Sequence, residues 1–160
     1  MRALTGIVLV RWLHLMAAVT WIGGMLFLVL VIVPALKGRL EPGQRIELVG
    51  QVGKRFSYVG WGAVAILVPT GILLAMDRGM TGDNLFSTSY GIVLSIKIAL
   101  VAGMIALSYL HDFVLGPRLV ELASAPGADT KVLQNRVKVL SRTNVLLGIL
   151  VLLCVAILTS

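Results

Sequence analysis

Apolar residues run along this chain in four long stretches, roughly residues 4–36, 56–76, 90–117 and 139–158, and charge, proline and glycine gather between them. A hydrocarbon core about 30 Å thick takes about 20 apolar residues of helix to cross, so each stretch predicts one membrane span. A bilayer interior offers backbone groups no water to bond, so each span is expected to be helical. The simplest packing is an all-α, up-and-down four-helix bundle that uses residues 1–160 as a single transmembrane domain. The first stretch follows Met1 and Arg2 as a signal peptide would, but its apolar run is too long and no A-x-A site closes it, which predicts a retained helix. Small residues at Gly23, Gly24, Gly60, Gly62, Gly103 and Gly148 favour close helix approach. Pro69, followed by Thr70 and Gly71, predicts a kink in the second helix.

Composition sharpens this picture. Of 160 residues, 58% are hydrophobic and 13% charged, against about 25% charged in a typical soluble domain. The protein is therefore read as integral to a membrane, with no chain left over for a separate soluble catalytic domain. The formal charge of +7 arises from 14 Lys and Arg against 7 Asp and Glu. No nucleic-acid-binding motif accompanies it, so the excess reads as a topology signal and not as a nucleic-acid surface. Lys37, Arg39, Arg45, Lys54 and Arg55 lie between the first two spans, and Arg118, Lys131, Arg136, Lys138 and Arg142 between the last two, while the middle connection holds only Arg78. By the positive-inside rule the two basic connections are cytoplasmic, which places both termini and the MDRGMTGDNLFSTS loop outside, in a multi-pass inner-membrane protein. Cys154 is the single cysteine, so no intramolecular disulfide is available.

The informative charges are the few within spans, because each costs a few kcal/mol to insert and by default faces the bundle interior or an interface. Arg11 and His14 lie in the first span, Lys97 and His111 in the third. Helical spacing gives one stripe of Arg11, His14, Ala18, Trp21 and Met25, and a second of Lys97, Val101, Met104, Ser108 and His111. At 1.5 Å rise per residue, His14 sits roughly 5 to 15 Å below the outer boundary and Lys97 near 10 Å, so the two can share a level. His111 falls about 21 Å deeper than Lys97, too far for one ion or one haem iron to take both histidines. Alternatives stand beside these readings: Arg11 and Lys97 reaching out to the interface, and His111 with Asp112 closing a helix at the membrane surface. Methionine suggests a different chemistry. Soft thioethers select Cu(I), and Met76, Met80, Met25, Met104 and the two histidines would make a copper path through the membrane, although Met also fills irregular cores.

The segments RWLHLMAAVTWIGGMLFLVLVIVPAL, GKRFSYVGWGAVAILVPTGILL, SIKIALVAGMIALSYLHDFVLGPRL and SRTNVLLGILVLL resemble the helices of CopD-type membrane proteins, over nearly the whole chain. That superfamily is named for copper resistance and includes HemJ-type protoporphyrinogen oxidases, whose first-helix His and third-helix Lys correspond to His14 and Lys97. The resemblance implies a b-type haem in the outer half of the bundle, used for electron transfer or, if the protein is an enzyme, for membrane oxidoreductase chemistry. His14 would be the axial ligand, Lys97 a second ligand or a propionate partner, Arg11 the better propionate partner, and Trp21 and Met25 the pocket lining. Porphyrin, the lipid bilayer and a redox partner or quinone would then be its partners, with no nucleic acid. The alternative is Cu(I) transport or delivery past Met76, Met80, His14, Met25, Met104 and His111. A structural or assembly subunit, its polar stripes facing another protein, is the third reading.

Overall fold

A computed structural model of the chain describes residues 2–81, 84–125, 127 and 129–159, with side chains from residue 5 onward, and among these every regular element is helical. Four helices are long and apolar enough to cross a membrane: α1 (Thr5–Leu36), α2 (Pro42–Asp77), α3 (Ser89–Ala123) and α4 (Lys131–Thr159). Residues 82–83 and 126 and 128, in two of the polar connections, lie outside the described residues.

Local signals set the helix ends. Gly38 and Gly79, with φ of 81° and 69°, follow the last turns of α1 and α2 in the left-handed conformation that suits glycine. Pro42 opens α2 at a first-turn position, where its missing N–H costs nothing. The Thr88 hydroxyl accepts from the Gly91 N–H at 3.0 Å and caps α3. Three helices outrun the apolar stretches, α2 starting at Pro42, α3 ending at Ala123 and α4 starting at Lys131. The added turns of α2 contain no proline beyond its first residue and pack on the end of α3, where Gly50 meets the Val120 side chain too closely to admit a Cβ. α2 also runs through Pro69 without ending. Beside the proline, the Thr70 hydroxyl donates to the Ile66 carbonyl at 2.6 Å, a side-chain bond of the kind that satisfies carbonyls in kinked membrane helices.

Successive helices run antiparallel. Paired contacts such as His14 with Thr70, Trp21 with Gly60, Ser57 with Asp112, and Ser108 with Asn144 fix the register. This puts both termini and the α2–α3 loop at one end, the terminal end, and the two basic connections at the other, the basic end. The packed middle comprises Ala17, Trp21, Ile22, Ala63, Val64, Met104 and Val151, with Met104 fully buried. Large apolar side chains such as Val8, Trp12, Leu30, Ile72, Ile98 and Leu153 cover the outside, an exposed apolar surface suited to lipid. Of the glycines expected to permit close packing, Gly24 takes the Phe56 ring, Gly60 the Trp21 ring, and Gly148 the side chains of Ile22 and Met104, while Gly23 and Gly62 face open space.

α1 and α3 depart from uniform α-helix in three π-helical turns, Val19–Gly23, Leu28–Ile32 and Leu110–Leu115. A π turn spends an extra residue per turn and re-aims the side chains around it, and such turns concentrate at functional sites.

Candidate functional site

The polar side chains inside the bundle fall into two groups, one on each side of the packed middle.

Nearer the terminal end, His14 of α1 meets α2. The Thr70 hydroxyl proton is committed to Ile66, so the His14 Nδ1–H donates to Thr70 Oγ1 at 2.8 Å. The His14 ring lies against Gly71, whose Cβ, if present, would sit 3.3 Å from Cε1. Lys97 of α3 is close enough to interact electrostatically with His14, and Cys154 of α4 with Lys97, so all four helices contribute to this level. Arg11 is exposed on the bundle surface. Three residues along an α-helix is a rotation of about 300°, so Arg11 sits about 60° round from His14 and out of the contact with α2.

At the basic end a cavity of about 130 Å³ lies between all four helices. Trp21 and Met25 come from α1, Phe56, Ser57 and Trp61 from α2, Ser108, His111 and Asp112 from α3, and Ser141 and Asn144 from α4. Each of the three π turns lends residues to this one cavity: Trp21 from the first, Leu28, Val29 and Ile32 from the second, His111 and Asp112 from the third.

Asp112 is the hub. Its Oδ2 accepts from Ser57 Oγ at 2.8 Å and from Trp61 Nε1 at 3.1 Å, both on α2, and its Oδ1 lies 2.9 Å from His111 Nδ1. A carboxylate only accepts, so the His111 Nδ1 carries the proton, and in the neutral imidazole Nε2 keeps its lone pair. That carboxylate–histidine arrangement is the one that orients metal-ligating imidazoles. One turn along α3, Ser108 Oγ accepts from Asn144 Nδ2 at 2.8 Å, and the same amide nitrogen reaches Met25 Sδ at 3.3 Å. Asn144 is 5% exposed and its Oδ1 has no hydrogen-bond partner among the described residues.

The residues singled out from sequence thus divide. His14 and Lys97 share the terminal level. Trp21, Met25 and His111 line the cavity, and Met104 fills the middle between the two groups. Met76 is exposed at the end of α2, and Met80 lies beyond that helix. Ser57, Trp61 and Asn144 were not singled out as site residues, and Asp112 was read only as closing a helix with His111. A lone asparagine in the apolar run of α4 was the available signal for Asn144, and the place beside His111 for Asp112.

This arrangement does not support a haem at His14. His14 is packed onto Thr70 and Gly71 and borders neither the basic-end cavity nor the open groove between α1 and α2 lined by Trp12, Met16 and Val59. The cavity itself is well below the roughly 300 to 1,000 Å³ of pockets that hold cofactors. It suits a small ion with a few waters. Among the described residues no three His, Cys, Asp or Glu side chains converge as a metal cluster, so an ion here would rely on mixed ligands such as thioether and imidazole.

Comparison with known proteins agrees with the second chemistry. The family described as Copper resistance protein D, CopD, matches residues 50–158. A protein from Aquifex aeolicus (strain VF5), called uncharacterized, is 32% identical over 107 residues, 67% of this chain and 68% of that protein. The copper transport protein CutJ of Bacillus subtilis (strain 168) is 32% identical over 104 residues, 65% of this chain but 18% of CutJ. No solved structure matches. The function named among these relatives is copper transport, and the porphyrinogen oxidase branch is not among them.

Proposed function

The chain belongs to the copper resistance protein D family, and on that premise we propose that it carries Cu(I) across the cytoplasmic membrane, holding the ion at the basic-end cavity between the Met25 thioether and the His111 imidazole. The observation that carries this reading is the His111–Asp112 pair: a carboxylate 2.9 Å from Nδ1 leaves Nε2 as a metal ligand, in a cavity that also presents a methionine sulfur. Thioether and imidazole both suit Cu(I), whereas hard cations prefer clusters of oxygen. A site with two soft ligands binds loosely enough to release, as conduction requires.

With the basic end cytoplasmic by the positive-inside rule, copper arrives past Met76 and Met80. It crosses the middle beside Met104, whose side chain separates the two polar groups. The cavity is then the last station before the cytoplasm. Trp21, Phe56 and Trp61 shield it from lipid, and the ties from Ser57 and Trp61 to Asp112 hold the imidazole in place.

Copper content of cells expressing the protein, measured by elemental analysis at low external copper, tests the proposal. Expression should raise cellular copper, and His111→Ala or Met25→Leu should abolish the rise. Unchanged accumulation in the double variant, with the protein present in the membrane, sinks it.

A further inference from the structure

The proposed copper site contains one feature that cargo binding alone does not explain. Asn144 is almost wholly buried and spends its Nδ2 on two acceptors, Ser108 Oγ at 2.8 Å and Met25 Sδ at 3.3 Å, while its Oδ1 has no donor among the described residues. A buried carbonyl oxygen without a partner is costly and rare in folded proteins, and here it belongs to a residue that lines a cavity.

We infer that Asn144 is a gate on the Met25 sulfur, its carboxamide turning over when a soft monovalent cation binds. This inference rests on the copper reading above. In the arrangement seen, the amide N–H occupies a sulfur lone pair and points its positive end at the place where a cation on Met25 would lie. Rotation by half a turn about Cβ–Cγ, a broad and soft torsion, exchanges nitrogen and oxygen. The sulfur lone pair is freed, and Oδ1 turns its negative end toward the ion. Ser108 keeps its bond by changing roles, because a hydroxyl that accepts from Nδ2 can rotate and donate to Oδ1. Only a carboxamide offers a donor and an acceptor in one shape, which accounts for asparagine at the start of the apolar run of α4.

The gate also supplies selectivity. A cation that takes the sulfur lone pair facing Asn144 must displace an N–H to load. Hard ions such as Na⁺ and K⁺ bind thioethers poorly and leave the cap in place, whereas Cu(I) and Ag(I) displace it.

The experiment is a titration of the full-length protein in detergent, labelled with ¹³C at methionine methyls and ¹⁵N at asparagine side chains, using Ag(I) as the redox-inert probe. The Met25 methyl and the Asn144 NH₂ pair should shift together at one common midpoint, and Na⁺ should move neither. In Met25→Leu, close to it in volume, the Asn144 response to Ag(I) should be lost. A Met25 methyl that shifts while the Asn144 amide stays fixed overturns the gate but leaves the copper site standing. An Asn144 response that persists in Met25→Leu also overturns it. If neither group responds to Ag(I) in the unsubstituted protein, the copper site itself fails.

Discussion

The two halves of the bundle each hold one histidine, and they treat it differently. At the terminal end His14 hydrogen-bonds to a hydroxyl, packs on a glycine and shares its level with a lysine. At the basic end His111 is tied to a carboxylate, faces a cavity and neighbours a methionine sulfur across Ser108 and Asn144. A histidine in a membrane helix is thus not a site by virtue of depth alone. What surrounds its second nitrogen decides what it can do.

The sharpest way to break that contrast is to remove each imidazole in turn. His111→Ala is expected to abolish copper accumulation, while His14→Ala, which empties no cavity, should leave a substantial fraction. The reverse order of effect would move the site to the terminal half. A reduced-minus-oxidised optical spectrum of the purified protein adds a second check: no Soret band is expected, and a Soret band lost in His14→Ala would restore haem to that half.

Removing the orienting carboxylate comes next. Asp112→Ala should weaken Ag(I) binding by about 10- to 100-fold, the usual consequence of deleting the partner of a metal-ligating histidine. Ser57→Ala removes only one of the bonds that Asp112 accepts and should cost about 1 kcal/mol of stability with a much smaller change in binding. If Ser57→Ala and Asp112→Ala weaken Ag(I) equally, Asp112 acts through helix pairing and not through His111.

The wall between the halves is the third target. Met104 is fully buried against Ile22 and Gly148, so Met104→Ala should lower stability by about 2 to 5 kcal/mol in a detergent unfolding assay. Met104→Leu, which keeps the volume and loses the sulfur, should cost less than about 1.5 kcal/mol. Any loss of copper transport in Met104→Leu then reports the thioether itself.

Much of this arrangement was legible in the sequence, and the rest was hidden for identifiable reasons. Apolar run length gives four spans because hydrocarbon thickness fixes helix length, and the stripe Lys97, Val101, Met104, Ser108, His111 does turn inward, with Met104 and Ser108 buried. The polar first turns of α2 and α4 were missed because hydropathy marks where a helix meets lipid and not where it ends. Arg11 was placed on the His14 stripe by spacing alone, and the structure leaves it exposed, since spacing does not say how wide a contact is. The π turns were invisible to a count that assumes 3.6 residues per turn, and with them went the convergence of Trp21, Ile32 and His111 on one cavity. Asn144 and Asp112 needed their partners from other helices, Ser108 and Met25 for one, Ser57 and Trp61 for the other, to become meaningful. The haem reading followed from the resemblance to HemJ-type proteins, with which the pairing of His14 and Lys97 by depth agreed. That pairing says nothing of the space between helices, and His14 lines neither the basic-end cavity nor the groove between α1 and α2.

The smallest expected effect probes the terminal half on its own terms. A Cβ on Gly71 would lie 3.3 Å from His14 Cε1, close enough that the ring must move by a few tenths of an ångström. Gly71→Ala also removes a helix-interior glycine from α2, which favours the helix by up to about 1 kcal/mol. The two terms oppose each other, so stability in a detergent unfolding assay should change by less than about 1 kcal/mol. Copper accumulation should be unaffected, because Gly71 lines no part of the basic-end cavity. A Gly71→Ala protein that folds as well as the original but no longer accumulates copper would show that the position of the His14 ring matters to passage. The terminal level would then be a working station on the path and no longer only a packed layer above it.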